Sequence, residues 1–179
     1  MESALKQQEL NILSNQFLYK MKKCFIDVKN FPKVGFTFPD ITPLFENEPK
    51  LYRALIDQMT ALYFNDPPGA FICIESFGYL FGAPLAYNLG SRLILARKKG
   101  KLPRNKISQK YSMIYDDNKE IELHSDILHE IRDIVIVDDF LASGGTTLAV
   151  IEILNGFDIE IKSLLYAVEV INCDKKIYY

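Results

Sequence analysis

Short apolar runs and longer amphipathic segments alternate along the 179-residue chain. Apolar residues recur at helical spacing in three segments, which are therefore predicted to be helices: residues 5–23, 49–63 and 81–89. Three short apolar runs bounded by polar or turn residues are predicted to be strands: residues 70–74, 93–96 and 163–170. This order of elements is typical of an α/β fold in which helices cover a mostly parallel sheet.

Two further segments are rich in turn residues. Residues 30–40 contain prolines and a glycine and are predicted to form a loop. Residues 110–114 and 120–124 flank a polar stretch and are predicted to pair as a hairpin. The chain has neither an internal repeat nor a linker-like stretch, so we predict a single domain, which is ordinary for this length.

A strand–turn–helix motif in the last third of the chain carries the strongest chemical signal. Residues 134–137 are four β-branched apolar residues, which predict a fully buried strand, and Asp138 and Asp139 follow at its end. The turn consists of Ala142, Ser143, Gly144, Gly145 and Thr146. It leads into an apolar, helix-like run at 148–154. A glycine-rich turn at a helix N-terminus suits a phosphate, and the carboxylates suit sugar hydroxyls or a bridged metal. The motif therefore indicates a site for a phosphorylated sugar.

Composition and charge narrow the range of partners. The hydrophobic content of 49% and the charged content of 25% are ordinary for a globular protein. A net charge of −2 provides no basic field for nucleic acid. Neither a membrane-spanning run nor a signal peptide is recognisable, and the three cysteines show no disulfide or zinc spacing. We therefore expect a cytoplasmic protein that binds neither membranes nor nucleic acid. His124 and His129 are expected to have surface or packing roles.

The acids and turn resemble the phosphoribosyl-pyrophosphate (PRPP) motif of the phosphoribosyltransferases. This resemblance implies that Asp138 and Asp139 hold the ribose hydroxyls. It also implies that the turn of residues 142–146 binds the 5′-phosphate.

Further segments resemble the adenine phosphoribosyltransferase branch of that family. They are residues 31–35, 40–44, 74–76, 81–86 and 97–103. The resemblance implies transfer of the phosphoribosyl group of PRPP to adenine, giving AMP and pyrophosphate, with Mg²⁺ bound through PRPP rather than directly by the protein. It also implies a homodimer and a five-stranded, mostly parallel sheet. An N-terminal helix and hood would cover about residues 1–48 and the core about residues 49–179. A flexible loop at about residues 98–118 would close over the site.

The resemblance also assigns ligands for the pyrophosphate. Arg97, Lys98, Lys99 and Lys101 form a basic cluster that suits an anion. The predicted pyrophosphate ligands are Arg97, Lys98 and Lys101 of this cluster, with Glu75 and Ser76. Arg97 joins Asp138 and Asp139 as a predicted catalytic residue. The family has a cis peptide after this serine, which would be the Ser76–Phe77 bond here.

The base site is predicted to be an apolar sandwich. Phe38 corresponds to the stacking aromatic of the family, with Thr37 and Pro39 beside it, and Phe140 would lie on the other face of the purine. Stacking of this kind contributes about 1–3 kcal/mol per base.

Three departures from the family pattern keep alternatives open. Phe77 stands where the family has an arginine, and Ile114 stands where it has a carboxylate. Pro39 has no N–H with which to recognise the adenine ring. The chain could therefore be a slow enzyme or one with an altered base preference. The alternatives are a PRPP- or nucleotide-binding regulatory homologue with little transferase activity, or a phosphoribosyltransferase for another purine.

Overall fold

The computed structural model describes residues 15–113, 116–171 and 176–178. The chain divides into two compact units, with the boundary between Gln58 and Met59. This boundary lies inside a helix and further along the chain than the predicted end of the hood near residue 48. The single domain with a hood and a core stays a prediction, and each unit is described by itself below.

The first unit contains helices and one small sheet. Its elements are α1 (residues 15–23), β1 (Ile26–Lys29), β2 (Thr37–Asp40), α2 (Thr42–Asn47) and the start of α3 (Pro49–Tyr63). Strands β1 and β2 pair antiparallel, with Val28 opposite Phe38. The prediction of a loop throughout residues 30–40 is wrong for its last four residues. The chain reverses between the strands through a cis Phe31–Pro32 bond and a left-handed Gly35, which brings β2 back alongside β1.

The second unit is built around one large sheet. Its further elements are β3 (Ala70–Ile74), α4 (Gly78–Leu89), β4 (Arg92–Lys98), β5 (Lys106–Met113), β6 (Asp116–His124), α5 (Ser125–Leu128), β7 (Asp133–Leu141), α6 (Gly145–Leu154), β8 (Glu160–Ile171) and β9 (Lys176–Tyr178). Among the described residues the strand order is β5-β6-β4-β3-β7-β8-β9. The central strands β4, β3, β7 and β8 run parallel, and β5, β6 and β9 are antiparallel to their neighbours.

The predicted α/β class and parallel central sheet are confirmed, but within the described residues the sheet has seven strands rather than five. The predicted hairpin forms as β5–β6, and it joins the sheet because β6 pairs with the end of β4. Strand β9 extends the other edge by pairing with β8. In the part of the chain that the structure describes, no helix has both the length and the apolar character needed to cross a membrane.

The apolar runs of the sequence form the interior of this unit. Every residue of β3 is buried, and so are the four apolar residues of β7, Ile134 to Val137. Helix α4 lies so close to the sheet that a Cβ on Gly82 would overlap the sulfur of Cys73. Fully enclosed strands of this kind hold the residues at their carboxyl ends in fixed positions.

The sheet is uneven at this carboxyl edge. The pairing of β3 with β7 ends at Cys73 opposite Val137, whereas β8 continues alongside β7 as far as Leu141. Asp138 and Asp139 therefore lie inside β7, and the prediction that they follow the strand's end is wrong. We call residues 138–141 the β7 overhang, because β8 supports this stretch after β3 has ended.

Candidate active site

The carboxyl ends of three neighbouring strands bring the predicted site residues of the second unit together. Strand β3 lies between β4 and β7, so the end of β4 and the β7 overhang flank the turn from β3 to α4. In open α/β sheets this edge is where ligands bind. The predicted ribose, phosphate and pyrophosphate residues all lie along it.

Asp138 and Asp139 form a half-buried pair of carboxyls in the overhang. The backbone N–H of Asp139 donates to Oδ1 of Asp138 at 2.9 Å. Burial raises the pKa of Asp138 well above its usual range, and the neighbouring Asp139 adds to the rise. Burial also raises the pKa of Asp139, while the charge of Lys98 opposes the rise at both residues. When the pKa of a carboxyl is raised, its ionised form is stabilised by hydroxyl donors or by a nearby cation. A ribose and a metal ion bound to it would supply both.

The N-terminus of α6 supplies an anion site beside this pair. Gly144 is the N-cap, with a left-handed φ of 73°, and within the described residues no side chain caps the helix. Ala142 and Ser143 are exposed, and Gly145 and Thr146 are half-buried. The first-turn N–H groups are therefore open to a phosphate, which the positive end of the helix dipole also favours.

A hydrogen bond fixes this first turn to the sheet. The hydroxyls of Thr147 and Tyr166 lie 2.8 Å apart, and Thr147 is buried. Tyr166 is also the β8 residue opposite Asp138. Tyr166 therefore contacts the first turn of α6 and lies opposite the strand residue that carries one of the acids, so it helps to position the two groups relative to each other.

Glu75 organises the basic residues on the other side of β3. Its Oε2 accepts from the Arg97 Nε at 3.4 Å and from the Lys98 backbone N–H at 3.1 Å, and its Oε1 pairs with the Lys101 Nζ. We call Glu75, Arg97, Lys98 and Lys101 the Glu75 cluster. The cluster brings the predicted pyrophosphate residues together, with the carboxylate innermost.

The segment after β4 is also anchored to β6. Lys106 pairs with the buried Glu122 at 3.1 Å, and Lys99 pairs with Glu120 at 2.7 Å. His124 bonds through Nε2 to the Pro103 carbonyl oxygen at 2.8 Å. The closing movement predicted for residues 98–118 is untested, but residues 106–113 of that segment are paired in the β5–β6 hairpin. Ile114, one of the three departures, lies outside the described residues.

The position of the cis peptide differs from the prediction. The Glu75–Ser76 bond is cis, whereas the prediction was Ser76–Phe77. The 76–77 peptide already belongs to the start of α4: Phe77 has helical dihedral angles (φ −74°, ψ −24°), and the Ser76 carbonyl accepts from the Tyr79 N–H at 3.2 Å. Ser76 is exposed at this turn, where its side chain is open to a ligand.

The predicted base residues belong to different units. Thr37, Phe38 and Pro39 lie in β2 of the first unit, where the Phe38 ring packs edge-on against Phe31 with centroids 5.5 Å apart. Phe140 lies in the β7 overhang, two residues after Asp138 and so on the same face of the strand. The base sandwich between the two stays a prediction.

Several residues that support the site were missed by the sequence analysis. Glu122, Thr147, Tyr79 and Tyr166 all place polar groups in or beside the core around the site. Glu122 alternates with Ile121 and Leu123 in a predicted strand, a pattern that predicts an exposed acid on the opposite face, so the sequence carries no signal for its burial. The two tyrosines carry no signal either, because tyrosine is common at half-buried positions.

Comparisons with known proteins identify the family of the chain. The family model described as a phosphoribosyl transferase domain matches residues 45–176. The adenine phosphoribosyltransferase of Carboxydothermus hydrogenoformans is 40% identical over 151 residues, which are 84% of this chain and 88% of that protein.

Two solved structures have the same fold. The adenine phosphoribosyltransferase of Thermoanaerobacter pseudethanolicus gives a TM-score of 0.76 at 33% identity, covering 85% of this chain and 87% of that one. The Saccharomyces cerevisiae enzyme, solved with an imino-altritol bisphosphate and adenine, gives 0.76 at 28% identity, covering 87% and 90%. Together with the matched family model, these similarities show that the chain belongs to the phosphoribosyltransferase family, in its adenine phosphoribosyltransferase branch.

Proposed function

We propose that the protein is an adenine phosphoribosyltransferase, which converts PRPP and adenine to AMP and pyrophosphate. The observation that carries this proposal is the order of groups along one sheet edge. The uncapped N-terminus of α6, the acids of the β7 overhang and the Glu75 cluster follow one another there. This order matches the 5′-phosphate, the ribose and the pyrophosphate of PRPP.

The reaction breaks the bond between the anomeric carbon and the pyrophosphate oxygen, and that oxygen keeps the electron pair. A ring nitrogen of adenine forms the new bond to the anomeric carbon and loses its proton to the departing pyrophosphate or to water. Positive charge builds on the sugar meanwhile. Asp138 and Asp139 would orient the hydroxyls, and the developing charge would favour their ionised forms, which offset it. Arg97 and Lys101 would stabilise the leaving group. Catalysis of this kind rests on positioning and electrostatics rather than on a covalent intermediate.

The residues at the site fit a Mg²⁺ ion that arrives with PRPP. Within residues 15–113, 116–171 and 176–178, no three acidic, histidine or cysteine side chains converge on a metal position. Mg²⁺ usually keeps several waters and binds substrate phosphates, so the ion can be held through PRPP, with the two carboxylates of the overhang nearby. When bound, the ion would neutralise charge on the pyrophosphate. A homodimer and a cytoplasmic location complete the proposal and rest on the family resemblance.

Two positions favour a second candidate, a homologue that binds PRPP but transfers it slowly or to another purine. Phe77 is half-buried at the β3–α4 turn and offers no charge to pyrophosphate. Pro39 in β2 offers no N–H to a base. Each position removes a ligand contact that the family pattern contains.

The test is to incubate the protein with Mg²⁺, PRPP and each of adenine, hypoxanthine, guanine and xanthine, and to follow nucleotide and pyrophosphate. We expect AMP from adenine and little product from the other bases. Tight PRPP binding without turnover on any base would reject the transferase and favour the second candidate. Product from another purine alone would reject the adenine specificity.

A double variant tests the ribose site independently. Asp138→Asn with Asp139→Asn should abolish PRPP affinity, measured by calorimetry. Unchanged affinity would reject the assignment of these acids to the ribose.

A further inference from the structure

We propose that Glu75 is a positioning residue, which holds Arg97 and Lys101 ready for the pyrophosphate, rather than a ligand of the pyrophosphate itself. The inference rests on the proposed function and assigns Glu75 a different role from the one that the family resemblance implied.

The pairing of β3 and β4 determines where Glu75 lies. The two strands run parallel up to Ile74 opposite Ala96. The Glu75 N–H then donates to the Ala96 carbonyl oxygen at 2.9 Å. Glu75 is therefore held beside Arg97 by the backbone of the sheet, before any side-chain contact is counted.

Both carboxylate oxygens of Glu75 are occupied by groups of the cluster. One oxygen accepts from the Arg97 Nε and the Lys98 backbone N–H, and the other pairs with the Lys101 Nζ. Burial acts to raise the pKa of Glu75, but the hydrogen bonds from Lys101 and the Lys98 backbone hold this pKa below its usual value. The carboxylate is charged and fully partnered, and a negative charge would repel a phosphate.

Glu75 is much more buried than the two cations that it pairs with. The side chain of Glu75 is 6% exposed, against 32% for Arg97 and 48% for Lys101. The carboxylate therefore lies beneath, and the two cations remain accessible above it. Two accessible cations on one buried acid leave net positive charge facing solvent, as an anion site requires.

A second group holds the same point of β4. The Tyr79 hydroxyl donates to the Ala96 carbonyl oxygen at 3.3 Å, so this carbonyl receives both Tyr79 and the Glu75 N–H. The Arg97 Nη1 donates to the Lys101 carbonyl oxygen at 2.9 Å. Arg97 is thus held next to a fixed backbone carbonyl and through its Nε and Nη1 atoms, which lowers the entropy lost when it binds an anion.

The experiment compares Glu75→Gln with the wild type, by calorimetry with Mg²⁺–PRPP, Mg²⁺–pyrophosphate and AMP. AMP contains the 5′-phosphate and ribose but no pyrophosphate. We expect Glu75→Gln to lower the affinity for PRPP and for pyrophosphate about tenfold, because the cations are misplaced. The affinity for AMP should not change. Kinetically, the KM for PRPP should rise while the KM for adenine does not. Glu75→Asp should restore part of the affinity.

Glu120→Gln is the matched control, because Glu120 pairs with Lys99 in the same segment but holds neither Arg97 nor Lys101. This control should leave PRPP affinity within about twofold of the wild type. Tyr79→Phe provides a second test if Glu75→Gln does not fold, and it should weaken pyrophosphate selectively, by a few-fold.

The outcomes separate the two proposals. Unchanged or tighter pyrophosphate binding by Glu75→Gln would overturn the positioning role, and tighter binding would identify Glu75 as a competitor of the substrate anion. An equal loss of AMP affinity would also overturn it, since that indicates a general structural defect. A wild-type protein that binds pyrophosphate but forms no nucleotide would reject the proposed function, while the comparison with Glu75→Gln would still test the positioning.

Discussion

The carboxyls of the β7 overhang are expected to lower the free energy of unfolding near neutral pH. The variant Asp138→Asn should remove the part of this effect that comes from Asp138. Burial and the adjacent Asp139 raise the pKa of Asp138 in the folded chain. The native state therefore holds a proton that the unfolded chain has already released above its ordinary carboxyl pKa. The free energy of unfolding should thus fall as pH rises from about 4 toward the raised native pKa. Asparagine cannot ionise, so the variant should lose this dependence.

The magnitude follows from the same linkage. Each pH unit above the ordinary pKa costs about 1.4 kcal/mol while the native carboxyl stays protonated, giving at most about 4 kcal/mol at pH 7. Asp138 is half-buried and lies within the field of Lys98, and both reduce that cost. We expect Asp138→Asn to stabilise the protein by about 1–2 kcal/mol at pH 7. The amide oxygen can still accept the Asp139 N–H.

Urea denaturation at about pH 5, 7 and 8.5 measures this effect. The stability difference between Asp138→Asn and the wild type should grow with pH, while nucleotide formation falls. Asp158→Asn is the control, because Asp158 is exposed in the loop before β8, and it should not alter the pH dependence. A variant less stable than the wild type at pH 8.5, or an unchanged slope, would refute the reasoning.

Three further predictions concern the packing around the site. Gly78→Ala should lower the free energy of unfolding by about 1–3 kcal/mol and reduce the affinity for PRPP, because its Cβ would lie 2.6 Å from a carbonyl oxygen of β7. Thermal denaturation measures the first effect and calorimetry the second. Gly144→Ala and Gly90→Ala should each lower the free energy of unfolding by about 1 kcal/mol, since the φ angles of the two glycines are 73° and 67°. In calorimetry only Gly144→Ala should reduce the affinity for AMP. Lys106→Met should cost about 2 kcal/mol in urea denaturation, because it leaves the buried Glu122 without its cation.

Each of these predictions has a result that contradicts it. Gly156→Ala is the control for Gly78, because its Cβ would make only an ordinary 3.6 Å contact; equal losses from the two would reject the close-approach argument. Equal loss of AMP affinity from both left-handed glycines would remove the phosphate turn from the site. If adding Glu122→Gln to Lys106→Met recovered no stability, the cost would not come from an unpaired carboxylate.

The bounds of several helices and strands can be predicted from the local hydrophobic pattern of the sequence. Helix α3 and strand β3 have the predicted bounds, because helical spacing after Pro49 and a run of buried apolar residues each decide an element locally. Helix α4 begins at Gly78, three residues before its predicted start, because its early residues pack against β7. The apolar pattern alone does not show that contact.

The features that were missed depend on neighbouring strands. Strand β7 continues through Asp138 and Asp139 because β8 pairs with it there, and no local pattern reveals the length of a partner strand. Strand β2 forms because the chain reverses at Gly35. Likewise Glu75 could be placed at the site from its position after β3, but its pairing with Lys101 depends on the turn after β4.

The unequal lengths of β3 and β7 have a consequence for local unfolding. Among the described residues, residues 134–137 of β7 have strands on both sides, whereas the overhang pairs with β8 on one side and with no strand on the other. The overhang can therefore open without disturbing the interior of the sheet, as binding regions of proteins often do. In amide hydrogen exchange, residues 134–137 should be protected at all times, and residues 138–141 should gain protection when ligand replaces the missing strand. The edge proposed to bind substrate is thus also the part of the central sheet where amide exchange should change most when substrate binds.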